Sequence, residues 1–263
     1  MAVRLLLAAC LAPPAAAALE VLPGRRMAPL LPADPLETVS ALAVRSGEPP
    51  LEGVVGDTAG VLRLDAGALQ LQVDVGGAIL LGFLPGDGFT FGISTVDGLL
   101  RVPVSLRWRE LTATLAWAHV SAHYADGVRY GAEKPENLDP YSREELRLLA
   151  AWRFPWIEPY ASVRGLIHTI PDAPRLGLQL GARAAGQRPA TWYLAGDLAW
   201  NGDTDWRLRA AGQTGLLLRG AETRALRLGL AAYLGPAVAG KRAGEQDAWV
   251  GGLLAFDWHG GWE

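Results

Sequence analysis

Apolar and polar positions alternate with a period of two along most of the chain. Leu69, Leu71, Val73 and Val75 alternate with Gln70, Gln72 and Asp74, and Val102, Val104, Leu106 and Trp108 with Arg101, Ser105, Arg107 and Arg109. The same rhythm runs through Leu146 to Trp152, Leu176 to Leu180, Trp206 to Ala210 and Leu226 to Leu230. A period of two places each apolar set on one face of a β-strand. Turn signals separate the runs, as in Pro85-Gly86-Asp87-Gly88, Pro171-Asp172-Ala173-Pro174, Gly186-Gln187-Arg188-Pro189 and Asn201-Gly202-Asp203. The pattern predicts about twelve strands, near residues 37–47, 53–65, 68–83, 98–108, 111–125, 141–153, 157–170, 174–185, 191–200, 206–218, 223–235 and 246–258. The stretch 76–100 is the least sharply divided.

Many of these runs reach the ~9 to 11 residues that cross a bilayer when tilted, and an even number of strands returns both ends to one side of a closed barrel. The expected fold is therefore all-β: a closed, antiparallel, up-and-down transmembrane β-barrel. Alternation alone does not say which face points outward. A soluble barrel binding an apolar ligand inside, in the periplasm, has the same pattern with the faces reversed. Three features favour the membrane. Trp108, Trp152, Trp156, Trp192, Trp200, Trp206, Trp249 and Trp258 sit near strand ends, as an interfacial girdle does. The polar face is rich in Arg and Gly. The closing run Val250, Gly252, Leu254, Phe256 and Trp258 ends in aromatics. Long connections at 126–140 and 236–245 fall on one side and short ones on the other, which puts the N-terminus in the periplasm.

Composition narrows the classes. Of 263 residues 50% are hydrophobic and 19% charged, with 32 Gly and 10 Trp. No apolar run approaches the ~18 to 20 residues of a transmembrane helix. The net charge of -3 carries no basic surplus, so nucleic acid is not an expected partner. Residues 1–18 read as a signal peptide, with Arg4 before an apolar stretch and Ala16-Ala17-Ala18 before a cut at Leu19. Leu7-Ala8-Ala9-Cys10 also fits a lipidation pattern, but the apolar stretch before Cys10 is short for one. Residues 19–36, with Pro23, Pro32 and Pro35, read as a proline-rich periplasmic lead-in that tucks into the barrel mouth; 37–258 form the barrel and 259–263 a tail.

The chain resembles Gram-negative outer-membrane β-barrels. More narrowly, it is similar to an uncharacterised family of such proteins. The resemblance lies in Met27 to Pro35, Asp97-Gly98 to Arg107-Trp108-Arg109, Trp117-Ala118-His119-Val120-Ser121-Ala122-His123 and Ala255-Phe256-Asp257-Trp258. It implies an outer-membrane location, lipid and the barrel-assembly machinery as partners, and no established activity. It does not imply an oligomeric state.

Two candidate chemistries remain. On the strand near 111–125, His119, Ser121 and His123 share the face of Leu111, Leu115 and Trp117, so they continue the lipid-side face. A Ser becomes a nucleophile when a neighbouring His takes its proton. The outward His-x-Ser pair resembles that of outer-membrane phospholipases and lipid A deacylases. That resemblance implies a third, His-orienting residue about a dozen positions after the Ser, where Glu133 stands; Ala122 replaces the Asn that usually follows the Ser. The plainer alternative is a polar patch meeting water and headgroups. His119 and His123 lack a third metal ligand, and no cofactor is expected. The other chemistry is transport. Arg101, Arg107, Arg109, Arg147, Arg153, Arg164, Arg175, Arg183, Arg207, Arg209 and Arg227 are expected to face inward. Asp74, Glu145, Glu158 and Asp197 are too few to neutralise them. Such a lumen would favour anions if open, or be packed by ion pairs if closed. His168 is expected in the lumen and His259 in the tail.

Overall fold

The structure, a computed structural model, describes residues 17–86, 90–125, 140–220 and 223–262. Its elements are β1 (Ala18–Gly24), β2 (Ser40–Arg45), β3 (Leu51–Ala66), β4 (Leu69–Pro85), β5 (Phe91–Trp108), β6 (Leu111–Tyr124), β7 (Tyr141–Trp152), β8 (Ile157–Ile170), β9 (Leu176–Ala185), β10 (Ala190–Asn201), β11 (Leu208–Arg219), β12 (Ala225–Pro236) and β13 (Gln246–Asp257). Two single-turn 3-10 helices, Gly202–Thr204 and Gly240–Arg242, are the only helical pieces among the described residues.

Strands β2 to β13 each pair antiparallel with the next in sequence, and β13 closes on β2 through Gly251–Phe256 against Ser40–Arg45. The result is a closed twelve-strand up-and-down barrel with one extra strand. The divided stretch resolves into a long β4 and a β5 that begins at Phe91, earlier than the alternation alone places it. The extra strand, β1, is a departure from the expectation of a strandless lead-in. Ala18 to Leu22 contains no proline, and β2 covers β3 only at Leu51–Val54. The bare edge of β3 beyond that point accepts β1, with Leu19 opposite Leu64 and Val21 opposite Leu62.

The faces are inverted relative to a water-soluble barrel. Leu148 is 53%, Val250 63% and Leu230 64% exposed, whereas Asp74, Asp197 and Arg227 are at most 1% exposed. Apolar residues line the outside of nearly every strand, far beyond the few hundred Å² that a soluble surface tolerates. The start of β1, the end of β13 and the short turns at 67–68, 109–110 and 153–156 share one end of the barrel, here the turn end; the opposite end is the loop end. Exposed Trp108, Trp152, Trp156, Trp192 and Trp258 ring the turn end. Trp249 is not part of an outer girdle. Its odd position in β13 turns it inward, where it stacks on Tyr233 (centroids 6.0 Å apart) with Arg45 4.6 Å from its ring.

Candidate functional site: a lumen closed by the N-terminal segment

Between β1 and β2 the chain leaves the wall and fills the lumen. Pro29, Pro32 and Pro35 lack the N–H groups a ladder needs, so the segment cannot continue as a strand. It folds instead around its own acids. The Asp34 carbonyl accepts from Glu37 N–H (3.0 Å), its carboxylate from Leu36 N–H (3.1 Å), and Glu37 Oε2 from Leu31 N–H (3.0 Å). Arg26 donates to Glu37 Oε1 (3.0 Å) and to the Ala28 and Pro29 carbonyls. The result is a compact plug with two apolar teeth. Leu30 packs with Tyr193, Leu217, Ala225 and Trp262, and Leu31 with Leu149, Ala151 and Tyr160.

Wall residues grip the plug through charge. Asp34 sits at the centre: Arg147 Nη1 is 3.0 Å away, Arg209 Nη2 3.2 Å and Gln179 Nε2 3.1 Å. These come from β7, β11 and β9 respectively. Arg209 and Gln179 also reach Asp197, which accepts from Tyr160 Oη at 2.7 Å. Arg101 donates to the Leu36 carbonyl (3.0 Å) and lies 3.8 Å from Glu37. Asp74 Oδ2 accepts from the N–H groups of Met27 and Ala28 (3.2 and 2.9 Å). Burial alone would raise the pKa of both plug acids. For Asp34 it is outweighed by Arg209, Arg147 and Arg101, and for Glu37 by Arg26 and Arg101, so both stay below the ordinary carboxylate range.

The loop end is capped as well. The β12–β13 connection folds inward, with Gly240 N–H on Asp97 Oδ2 (2.7 Å) and the Lys241 carbonyl accepting from Tyr124 Oη (3.2 Å). Val238 from this cap and Leu36 from the plug pack on one cluster of Ala78, Leu80, Leu99 and Ala118. Between plug and wall, a cavity lined by Asp34, Val39, Ala231 and Tyr233 holds only about 70 Å³.

Most of the arginines assigned to the lumen lie there, but each meets a partner. Arg164 binds Glu145 (3.2 Å) and Asp203 (2.6 Å), Arg183 binds Glu158 (2.9 Å), and Arg227 forks onto Asp257 (2.9 and 3.0 Å). Arg153 shares Glu158, and Arg107 reaches Thr112 and the Met27 carbonyl. Arg207 lies at the loop-end rim on the Thr204 carbonyl. Two are not lumenal. Arg109 occupies the β5–β6 turn at φ +55° with its guanidinium 5.1 Å from the Trp108 ring, and Arg175 lies in the β8–β9 connection beside Asp172, its side chain 61% exposed. The alternation that assigned them ends where the strands do. The expected excess of positive charge is partly offset. The plug brings Asp34 and Glu37, and Asp203, Asp247 and Asp257 add carboxylates from the strand ends. Two acids beside three prolines, inside a chain of many arginines, were the available signal for the plug.

On the outer surface, His119, Ser121 and His123 do face out from β6. His119 stacks on Trp117 (6.4 Å) and its Nδ1 lies 3.6 Å from Glu144 Oε1, directly across on β7. Ser121 stands opposite Ser142 and makes no hydrogen bond to His119. Glu133 lies outside the described residues. His168 faces outward, contrary to expectation, because a bulge opposite Glu144/Glu145 reverses the alternation in β8 and sets His168 across from Glu144. Among the described residues no cluster of His, Cys, Asp and Glu could hold a metal. His259 pairs with Asp57 of β3.

No protein-family model matches this chain, and neither does any curated protein or solved structure.

Proposed function

We propose that this protein is an outer-membrane β-barrel of the channel type whose pore is closed by its own N-terminal segment. The observation that carries the reading is Asp34. A plug carboxylate 2% exposed is held by Arg147, Arg209 and Gln179 of three different strands, at the middle of a barrel whose outer face is apolar. The apolar belt and turn-end Trp ring match what an outer membrane requires of its solutes. Lipid is then the partner around the belt. The aromatic end of β13, Phe256 and Trp258, is the feature the barrel-assembly machinery would read. The resemblance to an uncharacterised family of outer-membrane barrels fits the same location.

Closure and charge together favour a gated pore over a permanent scaffold. The wall alone offers Arg101, Arg147 and Arg209 to the mid-lumen, so an unplugged barrel would be a water-filled passage preferring anions. The soluble periplasmic reading requires the apolar faces to point inward, and they point outward. The lipid-hydrolase reading lacks a Ser121–His119 hydrogen bond. The test has two parts. Expressed in a Gram-negative host, the chain should fractionate with the outer membrane. The refolded full chain should be silent in planar bilayers at neutral pH, while charge-removing variants of the plug conduct. Recovery in the soluble fraction, or silence of every folded plug variant, would overturn the proposal.

A further inference from the structure

At the turn end, inside the mouth, a cavity of about 340 Å³ opens between the β7–β8 turn, the β9–β10 turn and the chain's tail. Among the described residues three guanidinium groups line it, from Arg153, Arg183 and Arg219, against one carboxylate, Glu158. Glu158 is already divided between Arg153 Nε (3.1 Å) and Arg183 Nη2 (2.9 Å). Among the described residues Arg219 is held only by carbonyl oxygens, its Nε on Trp262 (3.0 Å) and its Nη1 on Arg188 (2.7 Å). Carbonyls orient a guanidinium without neutralising it. The Arg183 side chain is 6% exposed, its guanidinium carbon is 5.2 Å from the Trp262 ring, and its Nη1 has no acceptor among the described residues. A buried donor left unpaired is costly, and a guanidinium fork matches the oxygens of a phosphate.

We propose that this pocket binds a phosphate group, either inorganic phosphate or a phosphate monoester. Arg183 and Arg219 would supply the fork and the positive surplus. Phe154 and Trp156, which line the same cavity, offer an apolar wall to an organic moiety attached to the phosphate. The pocket lies at the mouth and is independent of whether the plug moves. The phosphate could arrive as a free solute or as the headgroup of a lipid, and the chemistry at the arginines is the same.

The experiment is calorimetric titration of the refolded full chain in a non-ionic maltoside detergent, with inorganic phosphate in one arm and mixed micelles of phosphatidate in the other. Phosphate binding that weakens about tenfold in Arg219→Gln and in Arg183→Gln, with Arg175→Gln unchanged, supports the site and a free solute as its source. The same pattern with phosphatidate alone supports it with a lipid headgroup as the source. Absence of binding in both arms up to about 10 mM, or binding that ignores both substitutions, overturns it. Arg183 anchors Glu158 and its variant could fail to fold. Arg219 bonds only to carbonyls, so its variant keeps the test decisive.

Discussion

Replacing Asp34 by Asn changes the shape of the plug little and its electrostatics greatly. In the native barrel the carboxylate is 2% exposed and meets Arg147 at 3.0 Å, Arg209 at 3.2 Å and Gln179 at 3.1 Å. Removing one partner of a buried ion pair costs about 3–5 kcal/mol, because the other charge stays buried and uncompensated. The lower end applies here, since Arg209 keeps Asp197 at 3.0 Å and Arg147 keeps Gln179 Oε1 at 3.3 Å. A loss of about 3 kcal/mol from docking raises the undocked population roughly a hundredfold. The apolar contacts of Leu30 and Leu31 are untouched, so the barrel should still close and the plug should still visit its seat. The assay is single-channel recording at neutral pH on protein whose folding is verified by heat-modifiable gel mobility. The Asp34→Asn variant should show brief openings roughly a hundred times more often than the wild type, with anions preferred in bi-ionic reversal potentials. A folded variant as silent as the wild type, or openings that prefer cations, would refute the idea that this carboxylate holds the pore shut.

Other expectations follow from the same geometry. Acid should release the plug, but late: both plug carboxyls titrate below their ordinary values of 3.8 and 4.5 when docked, so their contribution is complete above those values and is lost as pH falls through the lower, docked ones. Conductance should therefore stay absent from pH 7 to about pH 4 and rise only below it; opening at about pH 6 contradicts the assignment. Gly181→Ala should lower the unfolding temperature of the barrel, because a Cβ there would overlap the Tyr160 ring and hydroxyl and push Tyr160 off Asp197; gel mobility after graded heating reads this, at a cost of about 1–3 kcal/mol. Ser121→Ala should leave acyl release from phospholipid or lipid A indistinguishable from wild type, both at background, and release that vanishes in the variant would restore the hydrolase reading.

The wall was legible in the sequence because its cause is local. Period-two alternation follows from the pleat, and a lipid-facing side chain needs no particular partner, so Leu148 or Leu230 declares which alternating set it belongs to, and the Trp positions and loop lengths then favour turning that set outward. The plug was not legible in the same way. Its contacts, such as Asp34 with Arg209, join residues far apart in sequence, and only closure of the barrel brings them together. Proline was taken to exclude a strand from all of 19–36, which fails at β1 (Ala18–Gly24) and holds for the segment after it, yet nothing local says that such a segment lies within the barrel and not merely near its mouth. The misplaced residues share a different cause. Arg109, Arg175 and His168 were assigned by carrying strand parity past a turn or through a bulge, where one extra residue reverses every face that follows. Trp249 was grouped by residue type where parity alone would have placed it inside.

The charge balance explains why wall and plug belong together. Around the plug, the described wall residues contribute Arg101, Arg143, Arg147, Arg164 and Arg209 against Asp74, Glu145, Asp197 and Asp203, one positive charge in excess. The plug brings Arg26 with Asp34 and Glu37, one negative charge in excess, and the set becomes neutral with nearly every charge paired. A dry lumen holding unpaired guanidinium groups is costly, and so is a plug carrying its acids into lipid or a narrow void. Two arrangements escape both costs. In one the plug is seated and water is excluded. In the other the plug is out and water solvates the wall arginines. Partial withdrawal strands charges on both sides without admitting enough water to solvate them, so intermediate positions are disfavoured. On the proposed gating, the ion pairs favour two states of the lumen, closed and dry or open and wet, and the apolar seats of Leu30 and Leu31 set the resting balance toward closed.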